Sequence, residues 1–372
     1  MAEDIGITLD EFRENFSRAL DQLGRVIIGH TRAREQLLVA IFSEGHVLLT
    51  GVPGLGRTLI GETLAKILGL TSSRIQFTPD LLPTDILGAE VLHEAEDRSN
   101  REFRFFRGPI FANLILADEI NRSPARTQSA LLEAMQEKQV TVGGNKYPVP
   151  LPFQLIATQN AVETEGIYPL PEAQMDRFMM FIELDYPEKD EEKEIVTATS
   201  GAGLPAPRQV LDPETVLRMQ RLAKYIPVAP SIKDFALSMI RATRPGREGT
   251  SDEISGMIRW GSSPRGGQCL LRGAKILAIV RGRNYVSRED IRDIAHPVLK
   301  HRLIPDYRTK AQGVSLDDVI DRLIDETERR ILPEASSSRV RQVLKGRLFE
   351  KTSDGPGLLG AAAKRIQTLR GK

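Results

Sequence analysis

The chain has little of what would staple a fold covalently or hold it in a membrane. A single cysteine, Cys269, among 372 residues excludes an intramolecular disulfide framework and a cysteine-rich zinc site, and it fits a reducing compartment. The five histidines, His30, His46, His93, His296 and His301, are scattered without metal-ligand spacing. No stretch approaches the ~18 consecutive apolar residues of a spanning helix, so stable membrane insertion is not expected. The acidic opening, MAEDIGITLDEFREN, shows no apolar segment of a secretory signal, and the cytoplasm is the expected location. Charge of one sign is missing too: 51 Lys+Arg against 50 Asp+Glu leave +1. A global basic field that would draw the chain to nucleic acid is thereby excluded. No tandem repeat is visible.

What is present is an ordinary globular composition, 41% hydrophobic and 27% charged, over a length that suits two or three domains. Phe12, Phe16, Leu20 and Leu23 share one face of a helix over about Leu9–Leu23, and a second helix, Thr31–Phe42, follows a turn at Gly29. Five apolar runs then read as buried strands: His46–Thr50, Arg74–Phe77, Leu114–Ala117, Phe153–Ala157 and Phe178–Leu184. Helical patterns such as Thr58–Leu68 and Thr127–Glu137 lie between them. Strands alternating with helices imply an α/β fold whose parallel sheet is covered on both faces. After Pro187 the strand runs stop, Ser200–Gln209 is a Gly/Pro-rich loop or hinge, and Leu211 to about His301 is helical throughout. The reading divides the chain into an αβα domain over 1–188, an all-α domain over 189–330 and a tail over 331–372. Arg339–Lys372 holds nine Lys/Arg and two acidic residues, net +7, so Met1–Ser338 carries 1 − 7 = −6. The tail reads as solvated and mobile, with a partner- or membrane-docking element, built on a short amphipathic helix in RVRQVLKGRLFE, as the other reading.

Between the first strand and the helix after it stands GVPGLGRT, Gly51 to Thr58, with Val52, Pro53 and Leu55 between glycines and Leu59 opening the helix. Glycines at Gly51, Gly54 and Gly56 let backbone N–H groups converge on an anion, toward which the helix points its positive end. The Thr58 hydroxyl suits Mg²⁺. Taken alone, such a turn also serves as a plain strand-to-helix connection. Asp118 and Glu119 end the apolar run LILADEI, where Asp118 can hold Mg²⁺ and Glu119 can act as base for an attacking water. The same pair would also suit a solvated helix start. Asn160 ends FQLIATQN and can orient a water or the γ-phosphate. Ligand groups in open parallel sheets gather at the carboxyl ends of strands, which is where all three polar ends fall.

The strings GHVLLTGVPGLGRT, IQFTPDLLPTDILG, GPIFANLILADEINR, TQSALLEAMQEKQVTV, IATQN and YPLPEAQMDRF make the chain resemble the MoxR-type AAA+ ATPases from roughly Leu9 to Glu326. RATR, GSSPRG, GRNYV and KHRL extend the resemblance into the second domain. It implies a P-loop NTPase fold, a three-layer αβα sheet domain followed by a smaller all-α lid, with ATP and Mg²⁺ as ligands. It also implies that Gly51–Thr58 is the Walker A loop, Asp118 and Glu119 the Walker B pair, and Asn160 sensor 1. Arg177 in MDRF would be an arginine finger presented to a neighbouring subunit's nucleotide, and Arg265 in SSPRG the sensor 2 residue reaching the nucleotide from the lid. Guanidinium groups suit the charge that grows on phosphate oxygens during transfer. The activity implied is ATP hydrolysis in a ring, most simply a hexamer. The ring would act as a chaperone-like remodelling or assembly factor for client proteins, often with von Willebrand factor A-type domains. Gly88–Ile110 looks like a β-hairpin inserted into the helix after the second strand, and Gln139–Pro150 like a second hairpin turning at Gly143-Gly144. In related ATPases such hairpins face the pore or client.

One position departs from the pattern. Arg57 stands where a P-loop has lysine, and a planar guanidinium is not interchangeable with a compact ammonium. A γ-phosphate misplaced by 1 Å can cost ~100-fold in rate. A slow ATPase is therefore expected, with a nucleotide-gated binding module of negligible turnover as the alternative. A nucleic-acid motor is a weaker alternative, because the near-neutral charge counts against it. Trp260 is expected in the core of the lid, and Cys269 as a small buried apolar residue.

Overall fold

Strands of five to seven residues, apolar except for one edge strand, build the centre of the molecule, a five-stranded sheet in which every neighbouring pair is parallel. The computed structural model describes residues 6–330 apart from Pro53, 95–100, 161–166 and 202. The basic tail, with RVRQVLKGRLFE, lies outside the described residues.

Two helices come first, α1 (Leu9–Val26) and α2 (Thr31–Phe42), the latter over the predicted range. A reciprocal capping box starts α1: Thr8 Oγ1 accepts from the Glu11 N–H and Glu11 accepts from the Thr8 N–H. Its apolar face buries Phe12 and Phe16, whose rings meet Phe42 of α2 at 5.6 and 5.8 Å between centroids. Each such ring stabilises the fold by roughly 1.5–3 kcal/mol on burial.

The chain then alternates: β1 (Val47–Gly51), α3 (Arg57–Leu68), β2 (Ser72–Gln76), α4 (Pro83–Leu87), the hairpin β3 (Gly88–Glu94) and β4 (Arg101–Arg107), β5 (Leu114–Asp118) and α5 (Ala125–Glu137). The hairpin β6 (Gln139–Val142) and β7 (Asn145–Pro148), β8 (Gln154–Asn160), α6 (Glu172–Met175) and β9 (Met180–Leu184) complete this half. Sheet order is β2-β5-β8-β1-β9. Alternate residues of β5 face opposite layers, as a two-residue period requires. Ile115 and Ala117 join Leu131, Leu132 and Met135 of α5 in one core, while Leu116 sits against Gly61 of α3.

The first hairpin differs in placement from its expectation. It lies between α4 and β5 and interrupts no longer helix, because Gly88 (φ 96°) ends α4 and begins β3. A Cβ there would lie 2.1 Å from the Phe106 carbonyl oxygen, so the strands can close up only on glycine. The second hairpin turns at Gly143-Gly144 as expected. The two meet where Phe105 stacks on Tyr147 at 4.1 Å.

After α7 (Lys189–Ser200) and an irregular stretch come α8 (Pro213–Lys224), α9 (Pro230–Ala242), α10 (Asp252–Met257), α11 (Pro264–Val280) and α12 (Arg288–Leu299), then α13 (Tyr307–Ala311). Helix α11 packs on α8, α9 and α12 and also on α1 and α2. Gly273 permits the approach to α12, since a Cβ there would lie 2.7 Å from Ile294 Cγ1. The all-α reading needs one amendment: β10 (Ile258–Trp260) and β11 (Ile304–Pro305) form a small antiparallel ribbon. Strands of three and two residues are too short to show alternation. Trp260 is not lid core; it is 69% exposed on the outer side of this ribbon. Cys269 is buried as expected. Helix α14 begins at 316, and this first compact unit ends at Ile324. A second begins at Asp325, helical through residue 330, with an Arg330–Glu326 pair at 3.9 Å.

Candidate functional site

Parallel register brings the polar strand ends into one row along the carboxyl edge of the sheet. Gly51 of β1 stands opposite Asn160 of β8, and Asp118 of β5 opposite Gln76 of β2. The backbone bends away after Gly51, where a Cβ would lie 2.4 Å from the Leu184 carbonyl oxygen. Gly54 and Gly56 both take positive φ (90° and 70°), which aims the loop at the first turn of α3. Pro53 lies outside the described residues.

The structure brings Thr58 and Asp118 together: the hydroxyl donates to Asp118 Oδ2 at 3.4 Å. Arg57 turns toward β8 and donates to the Gln159 carbonyl at 2.8 Å, beside Asn160. Glu119, the residue after Asp118, has φ 56°, an uncommon conformation for a non-glycine residue that costs of order 1 kcal/mol. Its N–H donates to Thr158 Oγ1 at 2.9 Å, and its Oε2 accepts from Gln76 Nε2 at 3.0 Å and pairs with Arg122 at 3.2 Å.

Thr158 has a second role, donating to Asp118 Oδ1 at 2.7 Å. Arg74 reaches Asp118 Oδ2 at 2.6 Å. Burial alone would raise the Asp118 carboxyl, but the hydrogen bonds from Thr158 and Arg74 and the nearby positive charge outweigh it. The group is held below the ordinary carboxylate range. Thr158, Arg74 and Gln76 escaped the reading of the sequence. The signal for Arg74 and Gln76 was present in SRIQF, where they fall on one face of a strand with Ile75 buried between them.

Arg177 and Arg265 are brought together elsewhere, at the amino edge of the sheet. Both line a cavity of about 440 Å³ walled by Gly45 and His46, just before β1, and by Met135 at the end of α5. Four more cations, Lys138, Lys224, Arg272 and Lys275, line it, against the single carboxylate Glu44. Glu44 is engaged by Lys138 at 3.1 Å and by Lys224. Arg177 donates to the Leu132 carbonyl at 3.2 Å. Arg265 lies 3.7 Å from Asp176, which also accepts from Ser263 Oγ at 2.8 Å and Arg302 Nε at 2.9 Å. Arg302, 1% exposed in its side chain, holds the backbone after Arg177 through the Phe178 and Met179 carbonyls. The imidazole of His46 accepts from the Leu155 N–H at Nδ1 and lies 3.2 Å from the Met135 carbonyl at Nε2. Burial pushes it down to about 3, so it is neutral.

Five residues at ~3.3 Å each make β1 about 16 Å long, so the Gly51–Thr58 loop and the arginine pair sit at opposite ends of that strand. Oxygen donors from Thr58 and Asp118, beside a glycine-rich helix start, suit a hard divalent cation and a phosphate.

Comparison with known proteins agrees in both halves. The model of the ATPase family associated with various cellular activities (AAA) matches residues 46–180, and that of the AAA lid domain residues 252–323. The chain is 43% identical to Chaperone MoxR1 of Mycobacterium tuberculosis over 82% of its own length and 80% of that protein's. To Protein MoxR of Methylorubrum extorquens it is 29% identical, over 79% and 89% of the two chains. The crystal structure of a putative ATPase from Cytophaga hutchinsonii superposes with a TM-score of 0.78 at 40% identity, covering 87% of this chain and 97% of that one. A polar carboxyl edge beside the glycine-rich Gly51–Thr58 loop, matches to both the AAA and the AAA lid models, and identity sustained over four fifths of a relative lead to one assignment: the chain belongs to the MoxR family of AAA ATPases.

Proposed function

We propose that the protein binds ATP with Mg²⁺, hydrolyses it slowly in a ring of its own copies, and uses the cycle to remodel or assemble client proteins. Residues 1–188 would be the nucleotide-binding domain and 189–330 its lid. Gly51–Leu59 would cradle the phosphates, Thr58 and Asp118 would hold Mg²⁺, Glu119 would take a proton from water and Asn160 would orient that water. Bound Mg²⁺ would neutralise charge on the phosphate oxygens. The observation that carries the reading is the separation of the two clusters. Arg177 and Arg265 line a cation-rich cavity at the amino edge, one strand length from their own Gly51–Thr58 loop. Groups so placed serve a neighbour's nucleotide, which makes the contact heterologous and able to close into a ring, hexameric by family resemblance. Lysine and arginine around one carboxylate suit an incoming polyphosphate. Clients with von Willebrand factor A-type domains and a cytoplasmic setting belong to this proposal. The exposed hairpin residues Leu92 and Phe103 are the surface offered to clients.

A second reading, nucleotide-gated binding without turnover, is favoured by Arg57, whose guanidinium is tied to the Gln159 carbonyl. Steady-state phosphate release by wild type, Glu119→Gln and Arg57→Lys separates the two. The proposal expects measurable wild-type turnover with Mg²⁺, a loss of at least ~100-fold in Glu119→Gln, and faster turnover in Arg57→Lys. A wild type that binds nucleotide without turnover, rescued by lysine, would establish the second reading. Turnover unaffected by Glu119→Gln would remove Glu119 from the chemistry.

A further inference from the structure

The carboxylate proposed to hold Mg²⁺ already has a cation on it. Arg74 Nη2 lies 2.6 Å and Nε 3.2 Å from Asp118 Oδ2, the same oxygen that the Thr58 hydroxyl approaches at 3.4 Å. The other oxygen, Oδ1, accepts from Thr158. Arg74 reaches across from the edge strand β2, where it pairs with Leu116 of β5, two residues before Asp118. Its guanidinium is held further by Gln76 Oε1 at 3.1 Å, and the same amide donates through Nε2 to Glu119 Oε2 at 3.0 Å. One chain of contacts, Asp118–Arg74–Gln76–Glu119, therefore joins the two acids through two side chains of β2.

We propose that Arg74 is a resident counter-cation of the metal position: it neutralises Asp118 until a divalent cation displaces it. The inference rests on the reading of Thr58 and Asp118 as metal-holding residues. Burial divides the roles. The Asp118 side chain is 11% exposed and cannot leave, whereas that of Arg74 is 51% exposed and can swing into water. Arginine stays charged at every working pH, so release takes displacement by a competing cation and no proton transfer. A guanidinium and a divalent ion cannot both contact one carboxylate oxygen without close like-charge repulsion. Arg74 and a divalent ion therefore compete for Asp118.

The test uses the full-length protein and Mn²⁺ as the probe, with ADP fixed below the protein concentration and free Mn²⁺ read by electron paramagnetic resonance. Wild type, Arg74→Gln and Arg74→Lys are compared, and ADP affinity is also measured in EDTA. Losing a half-exposed charge-assisted contact is expected to lower the Mn²⁺ midpoint about tenfold in Arg74→Gln. Arg74→Lys, which keeps the charge, should stay within about threefold of wild type, and ADP affinity in EDTA should barely change in either. A damaged fold would weaken Mn²⁺ binding, the opposite direction. An unchanged or weakened midpoint in Arg74→Gln, or an equal shift in Arg74→Lys, overturns the inference. Loss of ADP affinity in EDTA without a Mn²⁺ shift would make Arg74 a phosphate ligand and overturn it as well. A wild type that binds ADP but no Mn²⁺ would defeat the metal reading and this inference together. Mn²⁺ binding with no shift defeats the inference alone.

Discussion

Replacing Thr158 by valine should separate the two acids of the site while leaving their own side chains intact. The Thr158 side chain is fully buried, and valine matches its shape. The hydroxyl makes two hydrogen bonds, donating to Asp118 Oδ1 at 2.7 Å and accepting from the Glu119 N–H at 2.9 Å. A neutral hydrogen bond contributes roughly 0.5–1.5 kcal/mol and one to a charged group roughly 1.5–3. Asp118 keeps Arg74 and some solvent access, which places the sum near the low end, about 2 kcal/mol. Function should suffer more than stability. Glu119 holds φ 56° only while its N–H is fixed, and relaxation of that strained backbone would move the carboxylate. A displacement near 1 Å corresponds to about a 100-fold loss of turnover. Thr158→Ser keeps the hydroxyl and should recover most of both quantities. Urea unfolding and phosphate release on the three proteins check this. Turnover in Thr158→Val within twofold of wild type would show that Thr158 does not position Glu119.

Two further predictions concern the lid. Asp290 is fully buried between Arg281 at 3.0 Å and Arg283 at 2.5 Å and accepts from Ser287; the guanidinium groups are partly exposed and Arg281 keeps Asp293, so Asp290→Asn should cost roughly 1.5–3 kcal/mol through its weakened charge-assisted bonds. Burial would raise its pKa, but the bonds from Arg283 and Ser287 prevail and hold it below the ordinary range. A lowered folded-state pKa gives stability that is complete above the unfolded value of about 3.9 and lost as pH falls through the folded one. Lid unfolding by hydrogen exchange should therefore steepen in wild type below about pH 4 and respond less in Asp290→Asn. Trp260 is the only tryptophan in the chain, and its exposure should make native fluorescence nearly as sensitive to acrylamide as that of the urea-unfolded protein. Strong native protection would restore Trp260 to the lid core.

Much of the αβα half is written plainly in the chain, because strands buried on both faces must be apolar runs. Leu114–Ala117 and Phe153–Ala157 needed only a residue or a few more at their carboxyl ends. Those added residues are the polar ends, Asp118 and Asn160, and their position follows from parallel register. What stayed hidden depends on neighbours across the sheet. Arg74 and Gln76 fell within a run read only as a buried strand, and only the pairing of β2 with β5 sets them against Asp118 and Glu119. Thr158 lay one residue past the Phe153–Ala157 run and gained a role only when β8 was placed beside β5. Trp260 misled because a large aromatic is normally buried, whereas β10 pairs with only two residues of β11. The side of the sheet on which Arg177 and Arg265 meet is likewise a matter of tertiary packing, fixed by Asp176 and Arg302.

The central claim is that one subunit's arginine pair completes another subunit's nucleotide site. Phosphate release measured across mixing ratios of Arg177→Ala and Glu119→Gln tests it most directly. Each variant alone should bind nucleotide yet turn over at least ~100-fold more slowly than wild type. The mixture should rise above both parents, with a maximum near equal proportions, because only a mixed ring holds an interface with Glu119 on one side and Arg177 on the other. Activity that follows the weighted sum of the two parents at every ratio would contradict a shared site.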